Sequence, residues 1–188
     1  MKNQSPGKRA IATFFSVVLL FCFVLSACVQ DSPPEMVVKS GSMDIPTSVG
    51  LNKWNGGVVD REDNFKVLMK EKTRTDLPYI KVGEIISIEL DGTAPDSVIL
   101  TDSVLNENGG NKYGDVTTED IQITFKNRKA EFELKTNMAS LLSSNSEDYL
   151  PGNLIRGFKM TCKWAENECE YAFIIRSDAG FAREKDTI

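Results

Sequence analysis

Histidine is absent from the 188 residues of this chain, and its absence narrows the chemistry that the other side chains can perform. No imidazole is available to activate a nucleophile, to transfer a proton near neutral pH or to bind a metal ion. Ser97, Ser103 and the serines between residues 140 and 146 lie in ordinary turn or strand contexts. No two acids stand out in an apolar setting as the carboxylates of a glycosidase would. The sequence therefore predicts a protein that is not an enzyme.

Two oxygen-rich segments could bind a hard cation such as calcium. Residues 106–115 and 115–120 bring Asn and Asp side chains close together, and calcium prefers such oxygens. The spacing of an EF-hand is missing, so a solvated loop is the alternative interpretation. Gly109 and Gly110 lie in this polar stretch and not between a strand and a helix, unlike the glycines of a phosphate-binding loop. We predict neither a metal site nor a cofactor.

The N-terminus has the successive parts of an export signal. Residues 1–9 are polar and basic, and residues 11–25 form a nearly unbroken apolar run, which suits a signal peptide and is short for a bilayer span. The tetrapeptide that ends this region is Leu25-Ser26-Ala27-Cys28. It resembles the lipobox of bacterial lipoproteins, in which a branched apolar residue and two small residues precede an obligatory cysteine.

The resemblance implies that the Cys28 thiol receives a diacylglycerol and that a peptidase removes residues 1–27. Two or three acyl chains on one residue give stable anchoring, because each buried methylene contributes about 0.8 kcal/mol. Residue 29 is Val and not Asp, so in a Gram-negative envelope it would not signal retention at the inner membrane. The implied location is the extracytoplasmic face of the cell membrane, or the outer membrane in a Gram-negative cell.

Two of the four cysteines are left for other chemistry if the lipobox is used. Cys22 lies inside the apolar run and would leave with the signal, and Cys28 would be lipidated. Cys162 and Cys169 would then face an oxidising compartment, where they can form a disulfide. A redox pair is usually spaced Cys-x-x-Cys, and zinc would need two more soft ligands. We predict a structural disulfide between Cys162 and Cys169, with a free thiol pair as the alternative.

Apolar and polar residues alternate over residues 158–164 and again over 169–175, which predicts a β-hairpin. If Cys162 lies opposite Cys169, the apolar residues of both strands share one face. The predicted pairs are Met160 with Tyr171, Phe158 with Phe173, Arg156 with Ile175 and, on the other face, Lys163 with Glu168. A slip of one residue would place Lys and Glu in the core, so the register is well specified.

Other segments predict further strands and little helix. Residues 84–90 and 96–101 have the pattern of strands, and residues 121–125 and 130–134 that of a hairpin that turns at Asn127 and Arg128. Residues 63–70 fit either a strand or a short helix, and the helix is slightly favoured.

The segment between the anchor and the first clear strand is predicted to be mostly irregular. Residues 28–42 have the composition of a short tether, in which residues 36–38 could open an edge strand. Residues 41–60 are rich in Gly, Asn, Ser and Pro and are predicted to form a loop, whose Trp54 covers the core.

Composition and strand spacing favour one β-sandwich domain. The net charge is −5, and it becomes −8 without residues 1–27, which makes binding to nucleic acid unfavourable. We predict an antiparallel immunoglobulin-like sandwich of six to eight strands over residues 43–180, followed by a polar tail at 181–188. The whole pattern is similar to that of small bacterial lipoproteins with an immunoglobulin-like domain. This resemblance implies a fold and no chemistry.

The leading hypothesis for function is a lipid-anchored domain that acts outside the cytoplasm by binding a protein, a wall polymer or a small ligand. The alternative is a structural or assembly lipoprotein of the cell envelope or of spore layers. An envelope hydrolase is a weaker third hypothesis. An exposed apolar patch would favour a protein partner, and a concave pocket with two convergent acids would favour an enzyme or a metal site.

Overall fold

The computed structural model describes residues 32–61 and 63–180 of the chain. This part contains ten strands, one α-helix and four short 3₁₀ turns. The strands are β1 (Met36–Ser40), β2 (Met43–Ile45), β3 (Thr47–Trp54), β4 (Gly57–Val59), β5 (Ile85–Leu90), β6 (Ser97–Leu105), β7 (Glu119–Ile121), β8 (Lys129–Glu133), β9 (Leu154–Trp164) and β10 (Asn167–Ser177). The helix is α1 (Asn64–Met69), and the 3₁₀ turns are Arg74–Asp76, Asp115–Thr117, Met138–Leu142 and Ser146–Tyr149.

The strands form two antiparallel sheets that pack as a β-sandwich, as predicted. The smaller sheet has the order β2-β1-β5-β8, and the larger sheet has the order β4-β3-β10-β9-β6-β7. Six to eight strands were predicted, and the excess comes from β2, β3 and β4, which lie in a segment predicted to be a loop.

The inward faces of the two sheets enclose one main apolar core. Ile86, Ile88 and Leu90 of β5 are buried on one face of the smaller sheet, as their spacing predicted. Phe158 of β9 bridges the two sheets, since its ring stacks on Phe173 at 4.7 Å and lies 5.8 Å from a phenylalanine of β8, Phe132. Burial of such apolar side chains supplies the main stabilisation of a fold of this type.

The β9–β10 hairpin has the predicted register. Cys162 lies opposite Cys169, and the pairs at 160–171, 158–173, 156–175 and 163–168 are all present. Trp164 pairs with Asn167, so only two residues connect the strands. The first of these, Ala165, has φ of 46°. The two strands form the centre of the larger sheet and place their apolar face in the core.

Residues 63–70 contain the predicted short helix and not a strand. Helix α1 lies on the outer face of the larger sheet, where Leu68 and Met69 are buried with Ile155 and Ile174 in a second apolar cluster. The larger sheet is therefore covered on part of both faces, which a simple alternation of apolar and polar residues does not reveal.

Two predictions for the N-terminal part of the domain were wrong. Residues 28–42 were predicted to be a tether in which residues 36–38 could open an edge strand. The strand is present as β1, but it lies between β2 and β5 and not at an edge, with Met36 and Val38 buried. Residues 41–60, predicted to be a loop, contain β2, β3 and β4. The sandwich thus begins at residue 36 and not at residue 43.

The predicted hairpin around Asn127 was also wrong, although its turn is present. Asn127 has φ of 60°, and Lys126 and Lys129 bridge across it. The flanking strands separate into different sheets, because β7 pairs with β6 whereas β8 pairs with β5. The segment crosses from one sheet to the other, and Ile123 and Phe125 pack against the core on the way.

Several predictions concern residues outside the described ranges. They are the cleaved signal at 1–27, lipidation of Cys28 and the polar tail at 181–188. Within the described ranges, no helix has the length and apolar character needed to cross a bilayer.

Candidate functional site

A polar cavity of about 440 Å³ lies on the outer face of the larger sheet. Its floor is formed by strands β6, β9 and β10, whose side chains alternate between the core and this face. Helix α1 and the loop between β6 and β7 stand around it. The floor residues are Thr101, Ser103, Lys159 and Glu170.

Glycines in the sheet and the loop allow the walls of this cavity to come close to the floor. A Cβ atom at Gly157 of β9 would lie 2.9 Å from ring carbons of Phe65, and one at Gly50 of β3 would lie 2.0 Å from the amide nitrogen of Asn64. Gly109 of the loop has φ of +83°, and a Cβ there would lie 2.8 Å from the backbone of α1. Glycine in a strand typically marks such a close approach.

Glu170 organises the charges of the floor. Its Oε1 accepts a hydrogen bond from Asn64 Nδ2 at 2.9 Å, and its Oε2 lies 3.7 Å from Lys159 Nζ. The Thr101 hydroxyl, which is adjacent, donates to the backbone oxygen of Lys159 at 3.3 Å. The Glu170 carboxylate and the Lys159 ammonium on the floor therefore form an ion pair with each other.

Asn111 forms part of the wall and carries a buried acceptor. Its Nδ2 donates to Asp115 Oδ1 at 2.9 Å. Its Oδ1 is buried without a hydrogen-bond partner among the described residues. The buried Ser103 hydroxyl shares a hydrogen bond of 2.9 Å with that of Thr118. An unpaired buried acceptor costs free energy, so Asn111 is the least satisfied polar side chain of this wall.

A second cavity of about 430 Å³ opens between the free edges of the two sheets, beside β7 and β8. Acids outnumber bases on its walls, where Glu119, Asp120, Glu131 and Glu133 accompany Lys135. Within residues 32–61 and 63–180, no group of three or more Cys, Asp and Glu side chains is arranged to hold a metal ion.

A buried ion pair closes the inner end of this second cavity. Arg156 Nη2 lies 2.5 Å from Asp102 Oδ2, and Arg156 Nε donates to Asp102 Oδ1 at 3.2 Å. Asn137 Nδ2 also donates to Asp102 Oδ2, at 2.9 Å, and Arg156 Nη1 donates to the Lys135 carbonyl at 2.7 Å. Both charged side chains are only 2% exposed. The pair ties β6, β9 and the segment after β8 together, which is a structural arrangement.

The loop predicted to be either a calcium site or solvated is held by its own side chains. Asn106 Oδ1 accepts hydrogen bonds from the backbone N–H groups of Asn108 and Gly110, at 3.2 and 2.9 Å. Gly109 is buried against α1. This oxygen therefore organises the loop, and the loop in turn provides one wall of the first cavity.

Cys162 and Cys169 face each other in the main core, and both are free thiols in the structure. Burial and the neighbouring Cys169 sulfur raise the pKa of the Cys162 thiol to about 12. Burial also raises the pKa of Cys169 to about 11, against the hydrogen bond with Tyr171, which lowers it. Residues directly opposite in an antiparallel pair have Cα atoms about 4.5–5.5 Å apart, which a disulfide can span. The disulfide stays a prediction.

An exposed apolar patch covers the turns between β8 and β9. Its members are Met138, Leu141, Leu142, Tyr149 and Leu150, which are 36% to 64% exposed. The Tyr149 hydroxyl donates to the Ser143 carbonyl at 2.8 Å and lies 3.2 Å from the Leu141 carbonyl oxygen, and so joins the two 3₁₀ turns. The patch lies at the end of the sandwich where β8 ends, opposite the end where the chain enters β1 beside Leu90.

Neither cavity was predicted from the sequence. Arg156 on the apolar face of a predicted hairpin was a signal of the buried ion pair, because a charge at such a position needs a partner. Gly157 inside a predicted strand was a signal that another segment packs closely against it. Comparisons of the chain with models of known protein families and with curated proteins found no match. The class of protein is thus given by its fold, a β-sandwich of two antiparallel sheets.

Proposed function

We propose that this chain is a lipid-anchored lipoprotein on the extracytoplasmic face of the cell membrane, whose immunoglobulin-like domain binds a wall polymer without altering it. The lipobox resemblance at Cys28 supports the anchor. The cavity on the outer face of the larger sheet supports the binding site. A domain held at the membrane surface in this way would connect the membrane to the polymer beyond it.

The observation that carries this proposal is the construction of the first cavity. Its volume of about 440 Å³ falls within the range of about 300–1,000 Å³ that is usual for small-molecule sites, which is enough for one unit of a polymer. The floor belongs to three adjacent strands of a rigid sheet, so its polar groups are held in position before a ligand arrives. The acid on the floor, Glu170, is engaged by Asn64 and Lys159, an arrangement that favours recognition over proton transfer.

The anchor is tested by replacing Cys28 with serine. We expect Cys28→Ser to abolish lipidation, because the thioether to diacylglycerol needs the cysteine sulfur. The measurement is metabolic labelling with a radioactive fatty acid, followed by fractionation of membranes. Cys22→Ser is the matched control, since Cys22 lies in the apolar run and its replacement should leave labelling unchanged. Persistent labelling of the Cys28→Ser protein would contradict the proposed anchor.

The binding site is tested by filling it. The purified detergent-solubilised protein is mixed with protein-free wall sacculi and then pelleted. We expect the parent to pellet saturably and Thr101→Trp to pellet about tenfold less, because an indole on the floor occupies the cavity. Ser97→Trp is the matched control, since Ser97 lies on the same outer face of β6 but four residues from Thr101, and it does not line the cavity.

The outcome of this experiment also distinguishes polymer binding from a second candidate function. A structural or assembly lipoprotein is favoured by the exposed apolar patch at residues 138–150, since such a patch is typical of a surface that contacts another protein. Such a protein would leave purified sacculi unbound and would pellet only with envelope proteins present. Equal pelleting of Thr101→Trp and the parent, with both folded, would rule out the cavity as the site.

A further inference from the structure

We infer that the cavity on the larger sheet takes a neutral, hydroxyl-rich ligand, the class to which the N-acetylated sugars of a wall glycan belong. This inference rests on the proposed function and identifies which part of the polymer is bound. Three properties of the cavity support it, namely its charge, its hydrogen-bonding groups and its aromatic side chain.

The charges of the cavity oppose an anionic ligand. Lys159 is the one cationic side chain among the residues that line it, and Glu170 lies 3.7 Å from the lysine ammonium. The lining also includes Asp63 and Asp115, both exposed at the mouth. Asp63 is partnered by Lys66 at 3.1 Å, which lies on α1 and outside the lining. A phosphate or carboxylate would therefore meet acids and no unpaired cation, whereas a neutral ligand meets no such repulsion.

The hydrogen-bonding groups suit a ligand that both donates and accepts. Asn111 lines the cavity, and its Oδ1 is a buried acceptor without a partner among the described residues, so a turn of this side chain toward the ligand would let it receive one hydroxyl or amide proton. The Ser103 and Thr118 hydroxyls bond to each other, and each keeps lone pairs that a sugar hydroxyl can use. Thr101 adds a third hydroxyl on the floor. Each hydroxyl of a sugar can both donate and accept a hydrogen bond, so a sugar can use both kinds of group.

Phe65 supplies the apolar surface of the site. It is half-buried, rests against Gly157 of the floor and lines the cavity. Small-molecule sites combine such aromatic surface with a few convergent polar groups. The carbon face of a sugar ring is apolar although its rim is hydroxylated, so it matches a cavity with both kinds of surface.

The test is a calorimetric titration of the full-length lipidated protein in detergent with tri-N-acetylchitotriose. We expect saturable binding that inorganic phosphate does not displace. Asn111→Ala should weaken the affinity about fivefold to tenfold, the effect of one lost hydrogen bond. Thr101→Val, which keeps the shape of the side chain, should weaken it about threefold to tenfold. Thr161→Val is the control outside the cavity and should bind as the parent does.

Each result decides for or against the inference. Unfolding midpoints measured on all four proteins show whether a variant has lost its fold, and the Thr101→Val variant remains informative if Asn111→Ala does not fold. Displacement by phosphate, or equal binding by both folded cavity variants and the parent, would overturn the inference. Failure to bind the trisaccharide while sacculi are still bound would also overturn it and leave the proposed function standing. Failure to bind either would contradict both.

Discussion

Replacing Arg156 by methionine is expected to lower the free energy of unfolding by about 3–5 kcal/mol, because the variant leaves the Asp102 carboxylate buried without its cationic partner. The two side chains are 2% exposed, so in the parent the guanidinium and not water compensates the carboxylate charge. The Arg156 guanidinium also lies 5.5 Å from the ring centre of Phe158, at the centre of the core. No other ion pair among the described residues has both side chains buried to this degree.

The expected effect comes from breaking the pair and not from any large stability of the pair itself. Taking two charges out of water costs several kcal/mol per ion, which their attraction repays only when both are present. Asp102→Asn should therefore be destabilising as well, since it leaves the guanidinium buried with a neutral partner. The double variant Arg156→Met with Asp102→Leu should recover much of the loss, because it removes both charges.

Urea unfolding followed by tryptophan fluorescence measures these differences. The control is Lys39→Met, which breaks an ion pair of 2.9 Å with Asp44 on the exposed surface of the smaller sheet. Those side chains are 48% and 76% exposed, so the loss should stay below about 1 kcal/mol. If Arg156→Met lowers the free energy of unfolding no more than Lys39→Met does, the expected effect of burying the pair is contradicted.

The central hairpin was predictable because two local signals agreed. Alternation over residues 158–164 and 169–175 identified two strands, and a shift of one residue would have buried Lys163 and Glu168. The structure has that register. The apolar spacing of β5 was equally clear, because both of its neighbours lie in the same sheet and its outer face is exposed to solvent.

The strand β3 could not be predicted from its pattern. It contains the buried polar residue Asn52 and a glycine, Gly50, on which Asn64 of α1 packs. The polar and glycine content of this segment is typical of a loop, and only the tertiary contact with α1 explains it. Likewise, a good turn at Asn127 indicates that the chain reverses but not that both flanking strands join the same sheet.

The candidate site was less predictable than the fold. Its residues come from α1, the β6–β7 loop and three strands, which are separated by up to about a hundred positions in the chain. Their types are common on protein surfaces, and no fixed spacing connects them. Residues 106–115 were recognised as unusual because of their oxygens, although their role in the structure is to form a wall. Gly157 alone pointed to a close approach at this place.

The disulfide prediction concerns the pair at the centre of the core. At neutral pH the buried Cys162 and Cys169 thiols are almost entirely protonated, because burial raises the pKa values to about 12 and 11. The thiolate is the species that reacts in disulfide formation. We therefore expect the bond to form before the hairpin is packed into the core, and to resist reductants while the protein stays folded.

Removing this bond is expected to destabilise the fold by about 2.5 kcal/mol, the second largest effect. The bond would close a loop of eight residues counting both cysteines, for which the chain-entropy model gives about −8 cal/mol/K in the unfolded chain. The actual loss will be smaller if the hairpin already forms in the unfolded state. The double variant Cys162→Ala, Cys169→Ala should fold with the same register, because the Met160–Tyr171 and Phe158–Phe173 pairs remain.

Thermal melts with and without a reductant measure the effect, since heating exposes the bond to the reductant. We expect the reductant to lower the midpoint of the parent and to leave that of the Cys162→Ala, Cys169→Ala variant unchanged. Mass spectrometry of protein from its native envelope then decides whether the bond exists there. The alkylating agent is added in denaturant and before any reductant, because folded thiols with such high pKa values would not react even if free. If both cysteines are found alkylated, the pair is not oxidised in the envelope, and the hairpin register must depend on its apolar pairs alone.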